Sequence, residues 1–140
     1  MKQNILLVED NPDDQVLTLR ALKKHKIVNQ VTVASDGVAA LDHLFAVDAD
    51  GHCRFGLVLL DLNLPKLDGV EVLRRIRGEE RTRLIPVVVL TSSKQEEDVA
   101  ASYDGGANAY VRKPVKFSEF MDAVSTLGLF WLVLNEPVPS

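Results

Sequence analysis

Four apolar runs in this chain each end in residues able to do chemistry. Ile5-Leu6-Leu7-Val8 ends in Glu9 and Asp10, and Phe55-Gly56-Leu57-Val58-Leu59-Leu60 ends in Asp61. Pro86-Val87-Val88-Val89-Leu90 ends in Thr91, and Ala109-Tyr110-Val111 runs into Arg112-Lys113-Pro114. An ionised carboxylate is costly to bury alone, so an acid closing a buried strand has a partner or a task. Carboxylates, a hydroxyl and an ammonium are together the parts of a metal-assisted phosphoryl site. Three clustered carboxylates repel one another unless a cation sits among them, and hard oxygen ligands suit Mg²⁺. A carboxylate is also a nucleophile toward phosphorus, giving an aspartyl phosphate. That reaction needs in-line positioning and neutralised charge, which Lys113 and a Thr91 hydrogen bond can supply.

Taken singly, each residue has a plainer reading. Glu9-Asp10 could cap a helix, Asp61 a loop and Thr91 the next helix, while Lys113 alone would be a solvated lysine. Capping does not account for their joint placement at four strand ends.

The elements between these runs alternate in period. Asn11-Pro12-Asp13-Asp14 starts a helix, with Pro and acids in its first turn and a stripe of Val16, Leu19 and Ala21/Leu22. A short strand over Gln30–Ala34 is followed by a helix over Val38–Val47 carrying Leu41, Leu44 and Phe45 on one face. Asp68-Gly69 opens a helix with Val70, Val72/Leu73 and Ile76, and Lys94–Tyr103 reads as a weakly patterned one. Phe117–Leu134 is the last helical stretch. Five near-continuous apolar strands alternating with five helices predict one doubly wound α/β domain, a parallel sheet covered on both faces. In such sheets ligands bind outside the carboxyl ends of the strands, where the strand order reverses. Glu9, Asp10 and Asp61 converge there if the first and third strands flank that point.

Composition narrows the function classes. At 140 residues, 46% hydrophobic and 26% charged, the chain suits a single globular domain. A net charge of −4 without a basic block removes the usual electrostatic reason for a nucleic-acid partner. Cys53 is the single cysteine, and His25, His43 and His52 lack metal-ligand spacing. No signal peptide or membrane span is legible, so no membrane association and a cytoplasmic location are expected.

Leu6-Leu7-Val8-Glu9-Asp10-Asn11-Pro12, Leu59-Leu60-Asp61-Leu62-Asn63-Leu64-Pro65 with Asp68-Gly69, Val89-Leu90-Thr91-Ser92-Ser93 and Ala109-Tyr110-Val111-Arg112-Lys113-Pro114 resemble the receiver domains of two-component response regulators. The resemblance spans essentially the whole chain and implies a flavodoxin-like sheet in the order 2-1-3-4-5. It also implies that Asp61 accepts phosphate from a histidine kinase. Glu9 (less directly), Asp10, Asp61 and the Asn63 backbone carbonyl would then hold Mg²⁺, and Thr91 and Lys113 would touch the phosphoryl group. By the same resemblance Tyr110 stands at the switch aromatic's position, and the Lys113-Pro114 bond is cis. The protein would be a signalling phosphoacceptor with slow autodephosphorylation rather than an enzyme.

A receiver domain over 1–134 and a tail over 135–140 are expected, with no DNA-binding output domain, so that output runs through protein contacts. Leu129-Phe130-Trp131-Leu132-Val133-Leu134 is apolar all round, so part of it must face away from the domain's own core. Phe130, Trp131, Leu132, Val133, Asn135 and Pro137 are the expected homodimer surface. This segment, with Asn135-Glu136-Pro137-Val138-Pro139, is similar to the tails of single-domain regulators paired with phytochromes, which implies a phytochrome-like kinase partner. A haloacid-dehalogenase-type phosphatase would need an acid where Asn63 stands. A flavodoxin-like electron carrier would not place Glu9-Asp10 at its phosphate loop. A monomeric, chemotaxis-like motor-binding module remains the alternative for output.

Overall fold

The structure is a computed structural model that describes residues 4–24, 29–46, 51–96 and 106–127. Five strands form one sheet: β1 (Asn4–Val8), β2 (Val31–Ala34), β3 (Phe55–Asp61), β4 (Val87–Thr91) and β5 (Ala109–Arg112). Every pairing is parallel, and the order is β2-β1-β3-β4-β5, as expected. Four helices lie among the described residues: α1 (Pro12–Lys24), α2 (Gly37–Phe45), α3 (Gly69–Gly78) and α4 (Phe117–Leu127). A helical turn over 94–96 begins the stretch predicted for 94–103; its remainder lies outside the described residues.

Side chains alternate across the sheet, so odd and even positions feed two separate cores. Leu6, Val8, Val58, Leu60, Val87 and Val89 pack with α2 and α3 through Leu41, Leu44, Val72, Leu73 and Ile76. Ile5, Leu7, Leu57, Leu59, Val88, Leu90 and Val111 pack on the other face with Leu22 of α1 and Phe120 and Ala123 of α4. β1, β3 and β4 are buried on both faces, which explains their unbroken apolar runs.

Polar side chains start the helices. Asn11 Oδ1 accepts from the Asp13 and Asp14 N–H groups at 2.9 and 3.1 Å. Asp36 accepts from Ala39 N–H at 2.8 Å and Asp68 from Glu71 N–H at 2.9 Å. One expectation needs correction. Val16 is 50% exposed, whereas Thr18 and Leu22 are the buried positions of α1. Leu19 and Leu22 of the expected stripe do face the core beneath α1, and Val16 alone leaves it for solvent.

Arg77, at the end of α3, ties the entrances of β4 and β5. Its guanidinium donates to the carbonyls of Gly106, Arg83 and Ile85 and to Asn108 Oδ1, at 2.7 to 3.1 Å. Asn108 Oδ1 also accepts from Val87 N–H at 2.8 Å.

α3 begins hard against the end of β3. Gly69 N–H donates to Leu62 C=O, and a Cβ at Gly69 would lie 2.4 Å from Leu62 Cα and 2.6 Å from Asp61 O. Both neighbours are backbone and cannot give way cheaply. Gly69→Ala should therefore lower stability by about 1–3 kcal/mol, the range for overpacking a close contact. Urea unfolding of the variant against wild type checks this, and an unchanged midpoint would contradict it.

Candidate functional site

The crossover that sends the chain from β2, on one side of β1, to β3, on the other, opens a crevice between the ends of β1 and β3. Alternation fixes what enters it. Glu9, Asp61 and Lys113 share the parity of Leu7, Leu59 and Val111, so they extend the sheet face covered by α1 and α4. The register pairs Leu7 with Leu59 and Val8 with Leu60, which brings Glu9 level with Asp61. Lys113 follows β5 by one residue and precedes a cis bond to Pro114.

Lys113 Nζ is the centre of the cluster. It donates to Glu9 Oε1 at 3.0 Å, Asp14 Oδ2 at 3.0 Å and Asp61 Oδ2 at 3.2 Å. Glu9 is fully buried, Asp61 nearly so, and the Lys113 side chain is 14% exposed. Asp14, in the first turn of α1, escaped the sequence reading. The signal that could have found it is its place in that turn, which the Asn11 cap holds beside the end of β1.

One ammonium does not balance these acids. Burial, then the neighbouring Asp61, pushes the Glu9 carboxyl up to about 7 despite its hydrogen bond from Lys113. Burial works against the Lys113 ammonium too, but the bonds to Glu9 and Asp14 and the charges of Asp61 and Glu9 hold it protonated well above the usual lysine range. Oxygens of Glu9, Asp10 and Asp61 all lie within 4.8 Å of one another. A set of hard carboxylate donors, one of which keeps its proton for want of positive charge, fits a divalent cation such as Mg²⁺.

Thr91 is fully buried and its Oγ1 has no hydrogen-bond partner. It does not cap the helical turn that follows; Ser93 Oγ accepts the Glu96 N–H instead, at 3.2 Å. Asn63 N–H donates to Asp61 Oδ1 at 3.2 Å. Tyr110 is half-buried against the core beneath α2 and α3, on the same sheet face by parity as Thr91. The structure thus gathers Glu9, Asp10, Asp61 and Lys113 in one crevice, with the Asn63 N–H bonded to Asp61 and Thr91 buried at the end of the neighbouring strand β4. Phe130, Trp131, Leu132, Val133, Asn135 and Pro137 lie outside the described residues.

Native Glu9 keeps its proton to about pH 7, whereas an unfolded Glu releases it near its ordinary value of 4.5. Stability from this group is therefore complete below the unfolded value and is lost as pH rises through about 7. In metal-free protein, Glu9→Gln should flatten that loss and be more stable than wild type at about pH 8, a difference that shrinks near pH 5. Urea midpoints at the two pH values test it; parallel pH profiles would refute it.

Residues 5–125 match the response regulator receiver domain family. Among solved structures, the bacteriophytochrome response regulator AtBRR is 51% identical, with a TM-score of 0.84 over 97% of this chain and 99% of its own. The response regulator Rcp1 of Synechocystis sp. is 41% identical over 91% of this chain and 88% of its own length. The Mn²⁺-bound form of Rcp1 superposes with a TM-score of 0.70 over 99% of both chains. FilR2 of Methanothrix harundinacea, a probable methanogenesis regulatory protein, is 41% identical over 94% of this chain and 84% of its own. This chain belongs to the response regulator receiver domain family, and single-domain bacteriophytochrome response regulators are among its near structural neighbours.

Proposed function

We propose that the protein is the phosphoacceptor of a two-component phosphorelay, with Asp61 taking a phosphoryl group from a histidine kinase. The observation that carries this reading is the Lys113 ammonium held 3.2 Å from Asp61 beside the Glu9–Asp10 carboxylates. An Asp61 carboxylate oxygen forms the new bond to phosphorus while the donor's bond to phosphorus breaks and its electron pair leaves with the donor group. Lys113 is near enough to pass from its carboxylate partners to a phosphoryl oxygen, and the unpartnered Thr91 hydroxyl is a second donor. Glu9, Asp10, Asp61 and the Asn63 carbonyl would hold Mg²⁺, which when bound supplies charge neutralisation at the phosphoryl oxygens.

Movement of Thr91 toward the phosphoryl group would free space on the face it shares with Tyr110. Phosphorylation would then bias two packings of that pair. The kinase class is drawn from likeness: relatives include regulators of bacteriophytochromes, so a phytochrome-like kinase is the proposed donor.

Output is proposed to run through a homodimer formed by the last helix and tail. The support is the unbroken run of large apolar residues over 129–134. Leu132→Glu should shift a dimer to monomer in light scattering, while a variant mass equal to wild type would remove the tail from the interface.

The phosphoacceptor reading is tested by intact mass after incubation with Mg²⁺ and a small acyl phosphate. One phosphoryl group should appear on wild type, none on Asp61→Asn, and none on wild type when EDTA is present from the start. Equal labelling of Asp61→Asn would overturn it.

A further inference from the structure

The backbone of β4 sends alternate residues to alternate neighbours. Pro86 C=O accepts from Val58 N–H on β3, Val87 C=O from Asn108 N–H beside β5, and Thr91 C=O from Lys113 N–H on the β5 side. Odd positions therefore address β5 and even positions β3. By this alternation the Ser92 N–H, two residues beyond the Leu90–Asp61 register pair, is assigned to the β3 side. That N–H donates to a Glu96 carboxylate oxygen.

A helix cap explains only half of this contact. Ser93 Oγ accepts from Glu96 N–H, the usual first half of a reciprocal cap with Ser93 as the capping residue. In that arrangement the glutamate returns to the N–H of the capping residue itself. Glu96 instead reaches one residue further back, to Ser92. The residue before, Thr91, holds a buried hydroxyl with no partner. One donor on the β3 side of β4 thus carries an anion, and the adjacent side-chain donor carries nothing. Glu96 also shares a cavity of about 520 Å³ with Asn63 and Glu71, alongside the acidic crevice.

We propose that the Glu96 carboxylate is a built-in competitor of the phosphoryl group for the Ser92 N–H. The inference rests on Asp61 being the phosphoacceptor. As the bond from Asp61 to phosphorus forms and the donor's bond to phosphorus breaks, the transferred group brings negative oxygens toward the β3 side of β4. Glu96 must yield the Ser92 N–H before that donor can serve the phosphoryl group, and its charge opposes the incoming anion until it does. Glu96 thereby slows phosphorylation by small donors without touching the reacting atoms, acting through a backbone group as a positioning residue.

The test compares initial phosphorylation rates by intact mass, with Mg²⁺ and a small acyl phosphate, in wild type, Glu96→Gln and Glu71→Gln. Glu96→Gln keeps an acceptor for Ser92 but removes the charge. Glu71→Gln removes a charge from the same cavity, where that carboxylate pairs with Arg74 and Arg75. Glu96→Gln should be phosphorylated about tenfold faster than wild type, Glu71→Gln within about twofold, and the gap should narrow in high salt. Equal or slower labelling of Glu96→Gln, or equal acceleration by both variants, would overturn the proposal. A wild type that takes no phosphate on Asp61 would overturn the phosphoacceptor reading instead. A second measurement needs no variant: the ¹³C resonance of the Glu96 carboxylate should move when wild type is loaded with Mg²⁺ and beryllofluoride. An unmoved resonance in protein that has bound beryllofluoride would also refute displacement.

Discussion

The site depends on one ammonium among acids. Lys113 Nζ holds Glu9, Asp14 and Asp61, residues drawn from the end of β1, the first turn of α1 and the end of β3. Removing the ammonium would leave three acids uncompensated, so the elements that bring these groups together are fixed by their electrostatics as well as by apolar packing. The balance is nevertheless incomplete. Glu9 retains its proton to about pH 7 because burial and Asp61 outweigh what Lys113 offers. A crevice short of positive charge suits a divalent cation, and it disfavours an anion that arrives without one.

Sheet parity explains how the cluster is built from residues up to 104 positions apart. Glu9, Asp61 and Lys113 continue the odd face of their strands, and α1 lies over that face with Asp14 in its first turn. Thr91 continues the opposite face, the one that carries Tyr110. The crevice therefore takes Glu9, Asp61 and Lys113 from one side of the sheet, while Thr91 ends β4 on the other. The close start of α3, where Gly69 meets the backbone of Asp61 and Leu62, anchors the strand end that carries the central carboxylate.

Much of this was legible in the chain itself. The apolar runs that end in Glu9, Asp61, Thr91 and Lys113 are the strands β1, β3, β4 and β5 or their immediate sequels, because a strand buried on both faces must be apolar throughout. Helix starts at Asn11, Asp36 and Asp68 were marked by side chains able to satisfy free N–H groups. The face of α1 was less legible. Val16 fits an apolar stripe as well as Leu22 does, and only packing against the sheet shows that Thr18 lies inside.

The sequence by itself determined the element order and the chemical types at the strand ends, since both follow from local period and composition. Tertiary structure alone decided which groups meet. Asp14 joins Lys113 because the cap at Asn11 aims the first turn of α1 over the crevice, and Arg77 ties α3 to the starts of β4 and β5. Glu96 accepts the Ser92 N–H across the turn that Ser93 opens. Hydrogen bonds of this kind are set by direction and distance across the fold. A one-dimensional pattern records residue type and spacing, and it carries neither.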